Sequence, residues 1–250
     1  MNNSALFKKI SRKVGSSIFE HQMLEPNDRV LIALSGGKDS YILLETLAER
    51  KPHLPFPVEL FAMHVVIKEV GYNNDLNYMQ QLCNDLKIPL YIEEGEVDLF
   101  QNPKKAPCFV CSWHRRKLIF NKTKELNCNK LAFGHHMDDA LQTYMLNLIY
   151  HGSISSMPYK LSMFENRVQL IRPLLSLEEE LLVQYANERQ FPKELQKCPY
   201  DKETKRAEVN LILEKIYLSH RLAKINMFRS MGKICNEYLP KNIEKSDVME

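Results

Sequence analysis

The chain has 250 residues, 44% apolar and 26% charged, the balance of a globular protein long enough to bury a full core. No run of about 18 apolar residues is present, which argues against a membrane span. Met1 to Ile10 lacks the apolar stretch of a secretory signal, so a cytoplasmic protein is expected. A net charge of +3 is too small to mark nucleic-acid binding by itself, but the basic residues cluster. Lys8, Lys9, Arg12 and Lys13 form one group; Lys104, Lys105, Arg115, Arg116 and Lys117 a second; Lys197, Lys202, Lys205 and Arg206 a third. Two of these groups flank cysteines, which points to a polyanionic substrate, although for each taken singly a solvated helix face is the commoner case.

In chain order, residues 4–24 place Leu6, Ile10, Val14, Ile18 and Met23 at helical spacing. Val30–Leu34 reads as a buried strand and Lys38–Arg50 as a helix, stopped by Pro52 to Pro57. Val58–Ile67 is a second buried strand, Leu76–Leu86 a helix and Pro89–Ile92 a short strand. Residues 93–107 form a loop; Pro107 to Cys111 opens a helix that runs to Leu126. Lys130–Phe133 is a strand and Met137–Tyr150 a helix. Such alternation predicts βαβ units, hence an α/β fold with a parallel twisted sheet and helices on both faces. After Gly152, Tyr159–Phe164 and Val168–Ile171 flank Glu165-Asn166 as a hairpin or edge excursion. Leu177–Gln190, roughly 203–218 and 220–236 are helical, and 241–250 is polar and frayed. The expected organisation is one domain: an N-terminal helix (1–25), an α/β core (28–175) and a helical C-terminal extension (176–250) carrying Cys198.

The first candidate site is Ser35-Gly36-Gly37-Lys38-Asp39-Ser40, between the first strand and its helix. A strand that ends in a glycine turn and feeds a helix presents free N–H groups and the positive end of the helix dipole, a setting for phosphate. Lys38 adds a point charge. The spacing fits neither the Walker A loop nor the dinucleotide fingerprint.

Gly134-His135-His136-Met137-Asp138-Asp139 repeats that geometry after the strand Leu131–Phe133. In parallel sheets ligands lie beyond the carboxyl ends of strands, so the two turns are placed to share one pocket. Asp138 and Asp139 are candidates for holding Mg²⁺ beside a triphosphate, or for capping the helix. His135 and His136 are placed to polarise phosphate or to pack. His64, near the end of the second strand, is either an adenine-pocket residue or a core histidine.

Of the six cysteines, Cys83, Cys128 and Cys235 sit singly and read as small buried hydrophobes. Cys108 and Cys111 differ: two thiols three positions apart at a helix N-terminus lie close together, where the dipole favours thiolates. A redox dithiol, a zinc site completed by Cys198 and His114, and an iron–sulfur cluster on Cys108, Cys111 and Cys198 all remain open on these residues alone.

The S-G-G-K-D-S string resembles the PP-loop of the ATP pyrophosphatase superfamily. With C-x-x-C before Arg115-Arg116, G-H-H-x-D-D-x-L-Q-T before Leu146-Asn147, and Ile171-Arg172-Pro173-Leu174, residues of about 8 to 205 resemble the tRNA 2-thiocytidine synthetase family. That resemblance implies a PP-loop, adenine nucleotide alpha-hydrolase-like fold and ATP-dependent exchange of a tRNA cytidine C2 oxygen for sulfur. It implies ATP and Mg²⁺ held by Ser35, Gly36, Gly37, Lys38, Asp39, Ser40, His64, Gly134, His135, Asp138 and Asp139. It also implies a 4Fe-4S cluster on Cys108, Cys111 and Cys198, with sulfur from a cysteine desulfurase or from sulfide, and a homodimer. Lys38, Asp39 and the three cysteines would be the catalytic residues. Arg115, Arg116, Lys117, Lys205 and Arg206 would grip tRNA phosphates. The sequence departs from the family at Cys198-Pro-Tyr-Asp201, where aspartate and then no glycine follow in place of the second late cysteine and its glycine. Two other readings stand beside it: a lysidine-type PP-loop ligase with an amine nucleophile, and a zinc-stabilised tRNA-binding protein.

Overall fold

The computed structural model describes residues 4–70, 75–100, 107–192 and 205–239. Helix α1 (Ala5–Glu20), capped by the Ser4 hydroxyl, precedes strand β1 (Asp28–Leu34). Then come α2 (Lys38–Arg50), β2 (Val58–Ile67), α3 (Leu76–Asp85), β3 (Leu90–Gly95), α4 (Pro107–Glu125), β4 (Lys130–Ala132) and α5 (Met137–His151). β5 (Lys160–Met163), β6 (Val168–Ile171), α6 (Glu179–Arg189), α7 (Lys205–Ser219) and α8 (Ala223–Ser230) follow.

The six strands form one sheet in the order β3-β2-β1-β4-β6-β5. All neighbours pair in parallel except β5, which runs antiparallel to β6 at the edge. The sheet is therefore mixed rather than wholly parallel. Its hairpin turns through Phe164, Glu165 and Asn166, all at positive φ. β1 and β2 are near-continuous apolar runs because both faces are covered. Val30, Ile32 and Leu34 of β1 pack with Ile10 and Val14 of α1 and Leu43, Leu44 and Leu47 of α2. On the other face Leu31 joins Phe61, Met63 and Val65 of β2 and Val110 of α4, with Leu118 and Ile119 packed against them. Each such aliphatic side chain contributes about 1.5–3 kcal/mol by leaving water. A separate apolar cluster, Met137 and Leu141 of α5 with Val209 and Leu213 of α7, fastens the C-terminal helices to the core.

The order of strands positions the site. The chain steps outward from β1 to β3, then crosses back to place β4 on the other side of β1. That reversal opens a crevice at the carboxyl ends of β1 and β4, where doubly wound sheets bind ligands. Helix α4 starts at Pro107, as expected, which puts both Cys108 and Cys111 in its opening turns. Two other expectations shift in the structure. The last predicted helix is shorter, ending at Ser230. Cys83 and Cys128 are buried, but Cys235 is exposed and packs in no core.

Candidate functional site

Ser35–Ser40 forms the junction between β1 and α2. Gly36 has φ of 90°, a left-handed conformation that a side chain would strain. The turn is closed by short bonds: the Gly37 N–H donates to Ser35 Oγ at 3.2 Å, and Ser40 Oγ donates to the Gly37 carbonyl at 2.8 Å. No side chain caps α2, so its N-terminus stays available to an anion.

Gly134 packs directly on this turn. A Cβ there would lie 3.0 Å from the Asp39 carbonyl carbon and oxygen and 3.2 Å from Ser40 N, so only glycine lets the two loops touch. Beyond it, α5 opens with a capping box in which the His136 N–H donates to Asp139 Oδ2 at 2.9 Å. His136 Nε2 lies 3.5 Å from Asp139 Oδ2 and 3.9 Å from Asp39 Oδ2, so two carboxylates from different loops meet at one imidazole. Burial holds the Asp39 carboxyl above its ordinary range against the opposing pull of Lys38 and His136. Asp39 Oδ1 is buried and has no hydrogen-bond partner. An orphaned carboxylate oxygen beside a second carboxylate is what a magnesium ion with one or two protein ligands would satisfy.

Lys38 bridges Asp39 Oδ2 at 3.1 Å and Glu179 Oε1 of α6 at 2.9 Å. Burial would lower its ammonium, but the two carboxylates outweigh burial and raise it. Asp138 points away from the cavity described below. Its Oδ2 accepts the Glu179 N–H at 2.9 Å and its Oδ1 pairs with Lys224 of α8 at 2.7 Å. The geometry thus gives Asp138 the task of fixing α6 and α8, and leaves Asp139 as the carboxylate of this pair that lines the cavity. His64 is also structural in its contacts: it is buried, its Nδ1 lies 2.7 Å from the Leu34 carbonyl oxygen, and burial lowers its basicity.

Both loops open on a cavity of about 900 Å³. Ser35, Asp39, Ser40, Gly134, His135 and Asp139 line one end; Cys108, Cys111, Ser112, Arg115 and Arg116 of α4 line another. Phe120, Phe133, Met163, Leu170 and Arg172 make an apolar wall with one guanidinium in it. Burial pushes the His135 imidazole down to about 4, so it is neutral at physiological pH. The sequence-predicted phosphate loop, second turn, cysteine pair and two of its arginines therefore share one chamber. Lys117 instead turns outward, 5.6 Å above the Trp113 ring. Lys205 lies over Tyr150 and Arg206 donates to Gln142, so both also join the α5–α7 contact, and both remain exposed. Cys198 lies outside the described residues, as do Lys104, Lys105, Lys197, Asp201 and Lys202. Among the described residues no three His, Cys, Asp or Glu side chains gather as a metal site.

The PP-loop domain model matches residues 7–210. The tRNA-cytidine(32) 2-sulfurtransferase of Paraburkholderia phymatum is 33% identical over 242 residues, 95% of this chain and 71% of that one. The chain belongs to the PP-loop tRNA-cytidine 2-sulfurtransferase family. Its Neisseria meningitidis relative of the same name is 36% identical over 194 residues, 77% of this chain and 61% of its own. Among solved structures, the U34-tRNA thiolase NcsA from Methanococcus maripaludis, with its [4Fe-4S] cluster, superposes with a TM-score of 0.75 at 26% identity. That match covers 96% of this chain and 81% of NcsA. For a family whose members carry out tRNA thiolation, a cavity joining an ATP-type loop to a cysteine pair is the expected arrangement. Arg172, buried in its wall, is the residue that sequence reasoning left without a role. Its only signal was the Ile171-Arg172-Pro173-Leu174 string.

Proposed function

We propose that this protein is an ATP-dependent tRNA sulfurtransferase that replaces the C2 oxygen of a cytidine by sulfur. The observation that carries this reading is the single cavity holding both the Ser35–Ser40 loop and the Cys108, Cys111 pair. A pyrimidine carbonyl oxygen is a poor leaving group. Its attack on the α-phosphate of ATP expels pyrophosphate and converts it to a phosphate ester; a sulfur nucleophile at C2 then expels AMP.

In the first step the α2 N-terminus and Lys38 neutralise the phosphates, a largely electrostatic contribution from preorganised groups. Asp39 and Asp139 would hold Mg²⁺, which supplies further charge on the pyrophosphate as it leaves. Neutral His135 offers a hydrogen bond at the cavity wall without adding charge. Arg115 and Arg116 orient the phosphates of the tRNA nucleotide that enters; such contacts fix register rather than read sequence. Lys117, Lys205 and Arg206 are exposed and would serve the body of the tRNA. A 4Fe-4S cluster held by Cys108, Cys111 and Cys198 would supply the sulfur carrier. Asp201, in place of a second late cysteine, leaves the ligand set intact and removes one thiol from the delivery route. Sulfur would come from a cysteine desulfurase or free sulfide, and the enzyme would act in the cytoplasm as a homodimer. Among the described residues no helix is long and apolar enough to cross a membrane.

The test is thiolation by anaerobically purified enzyme, with nucleosides identified by mass spectrometry. Wild type should form 2-thiocytidine with one AMP per sulfur. Cys108→Ser should abolish thiolation and iron binding together. Thiolation persisting in Cys108→Ser, or zinc in place of iron, would refute the cluster.

A further inference from the structure

Arg172 is 8% exposed, yet it lines the cavity. Its position is set by two consecutive residues: the backbone N–H donates to the Tyr159 carbonyl at 3.0 Å, and Nη1 donates to the Pro158 carbonyl at 2.7 Å. Nε is buried without a partner. Burial and the nearby Arg116 weaken its hold on the proton. No carboxylate pairs with it among the described residues. The guanidinium is thus a rigid, donor-only fork with its Nε–H edge unmatched, and an unmatched buried donor costs about 1–3 kcal/mol until something accepts it.

The surroundings indicate what would accept. Groups suited to phosphate are already present at the α2 N-terminus and in the nearby Arg116 of α4, and Phe120, Phe133, Met163 and Leu170 line the same cavity as Arg172 with apolar surface. Such a wall suits the faces of a nucleobase. We infer that Arg172 reads the target base, its Nε–H and Nη2–H edge donating to the N3 and O2 acceptors of cytosine. Uracil presents an N3–H donor there, which would oppose a donor. O2 keeps its second lone pair for the attack on ATP. The same bond to N3 favours the later sulfur attack, because electron density moves from C2 towards N3 as the C2–S bond forms. Arg172 is then the specificity-determining residue, an assignment that rests on the thiolation reading.

The experiment uses the whole enzyme with three tRNA transcripts that carry cytidine, uridine or 3-deazacytidine at the target position, the last having C–H in place of N3. Wild type should favour cytidine over both analogues by about 10- to 100-fold in kcat/KM, the discrimination expected of a bidentate base contact. Arg172→Lys keeps the charge but not the fork. It should slow cytidine thiolation by a similar factor and lose nothing more on 3-deazacytidine. Equal handling of cytidine and 3-deazacytidine by wild type, which needs no variant to fold, would overturn the assignment. So would an Arg172→Lys defect of one size on all three transcripts, the mark of a phosphate contact. A wild type that transfers sulfur to no transcript would instead remove the thiolation reading itself.

Discussion

Replacing Gly134 by alanine tests whether the two loops form one unit. The new methyl would sit 3.0 Å from the carbonyl carbon and oxygen of Asp39 and 3.2 Å from Ser40 N. These are backbone atoms at the start of α2 and cannot rotate aside, so the turns must part by a few tenths of an ångström. Overpacking of this kind costs about 1–3 kcal/mol. In a chain of this size each kcal/mol lowers Tm by roughly 2–4 °C. The larger effect falls on chemistry. A displacement of about 1 Å in a reacting assembly costs on the order of 100-fold in rate, and a few tenths should cost near 10-fold. Release of AMP and pyrophosphate with tRNA present, measured beside a thermal melt, separates the two effects. Gly134→Ala should stay folded with a modest fall in Tm and an AMP rate about ten times lower. Wild-type AMP formation would mean that the contact does not position the phosphate loop.

Asp39→Asn should abolish magnesium-dependent AMP formation yet raise Tm at neutral pH. The folded Asp39 carboxyl sits above its unfolded value, so native protein binds the extra proton and loses stability as pH rises through that range; a fall in Tm at pH 7 would contradict this. His135 has the opposite linkage. Its folded value of about 4 lies below the ordinary 6.5, so denaturant-derived stability should decline as pH falls from 6.5 towards 4, and His135→Phe should flatten that decline. Glu179→Gln frees Lys38 from a half-exposed competitor while the Asp138 cap on the Glu179 backbone remains. Since an exposed pair is worth about 0–1 kcal/mol, ATP should bind up to about fivefold tighter by calorimetry, and unchanged or weaker binding would count against Lys38 as a phosphate ligand.

How far the site could be read beforehand depends on residue spacing around helices. The Ser35–Ser40 and Gly134–Asp139 turns were legible because both sit where a strand hands over to a helix, and local sequence determines that geometry. The cysteine pair was legible for the same reason. Adjacent residues at a helix start, however, diverge by about 100°, so nothing local says which of Asp138 and Asp139 lines the cavity. The sheet topology decides, by placing α6 and α8 beside Asp138. Likewise Arg115 and Arg116 face the cavity while Lys117 rests over Trp113. The antiparallel edge strand shows the same limit: Glu165-Asn166 marked a hairpin, but only pairing with β4 fixed the direction of β6 and hence of β5. Arg172 was least legible, since it comes from a strand whose place beside β4 is a long-range fact.

One chamber for both half-reactions follows from the chemistry of the intermediate. In the proposed mechanism an O2-adenylated cytidine is made reactive so that sulfur can displace AMP, and water is a competing nucleophile present at far higher concentration. Release between two separate sites would return cytidine and waste the ATP, whereas a closed apolar setting suppresses that side reaction. The wall of Phe120, Phe133, Met163 and Leu170 gives the cavity that holds the phosphate loop and the cysteines an apolar side. The cavity, about 900 Å³, is near the upper end of small-molecule sites.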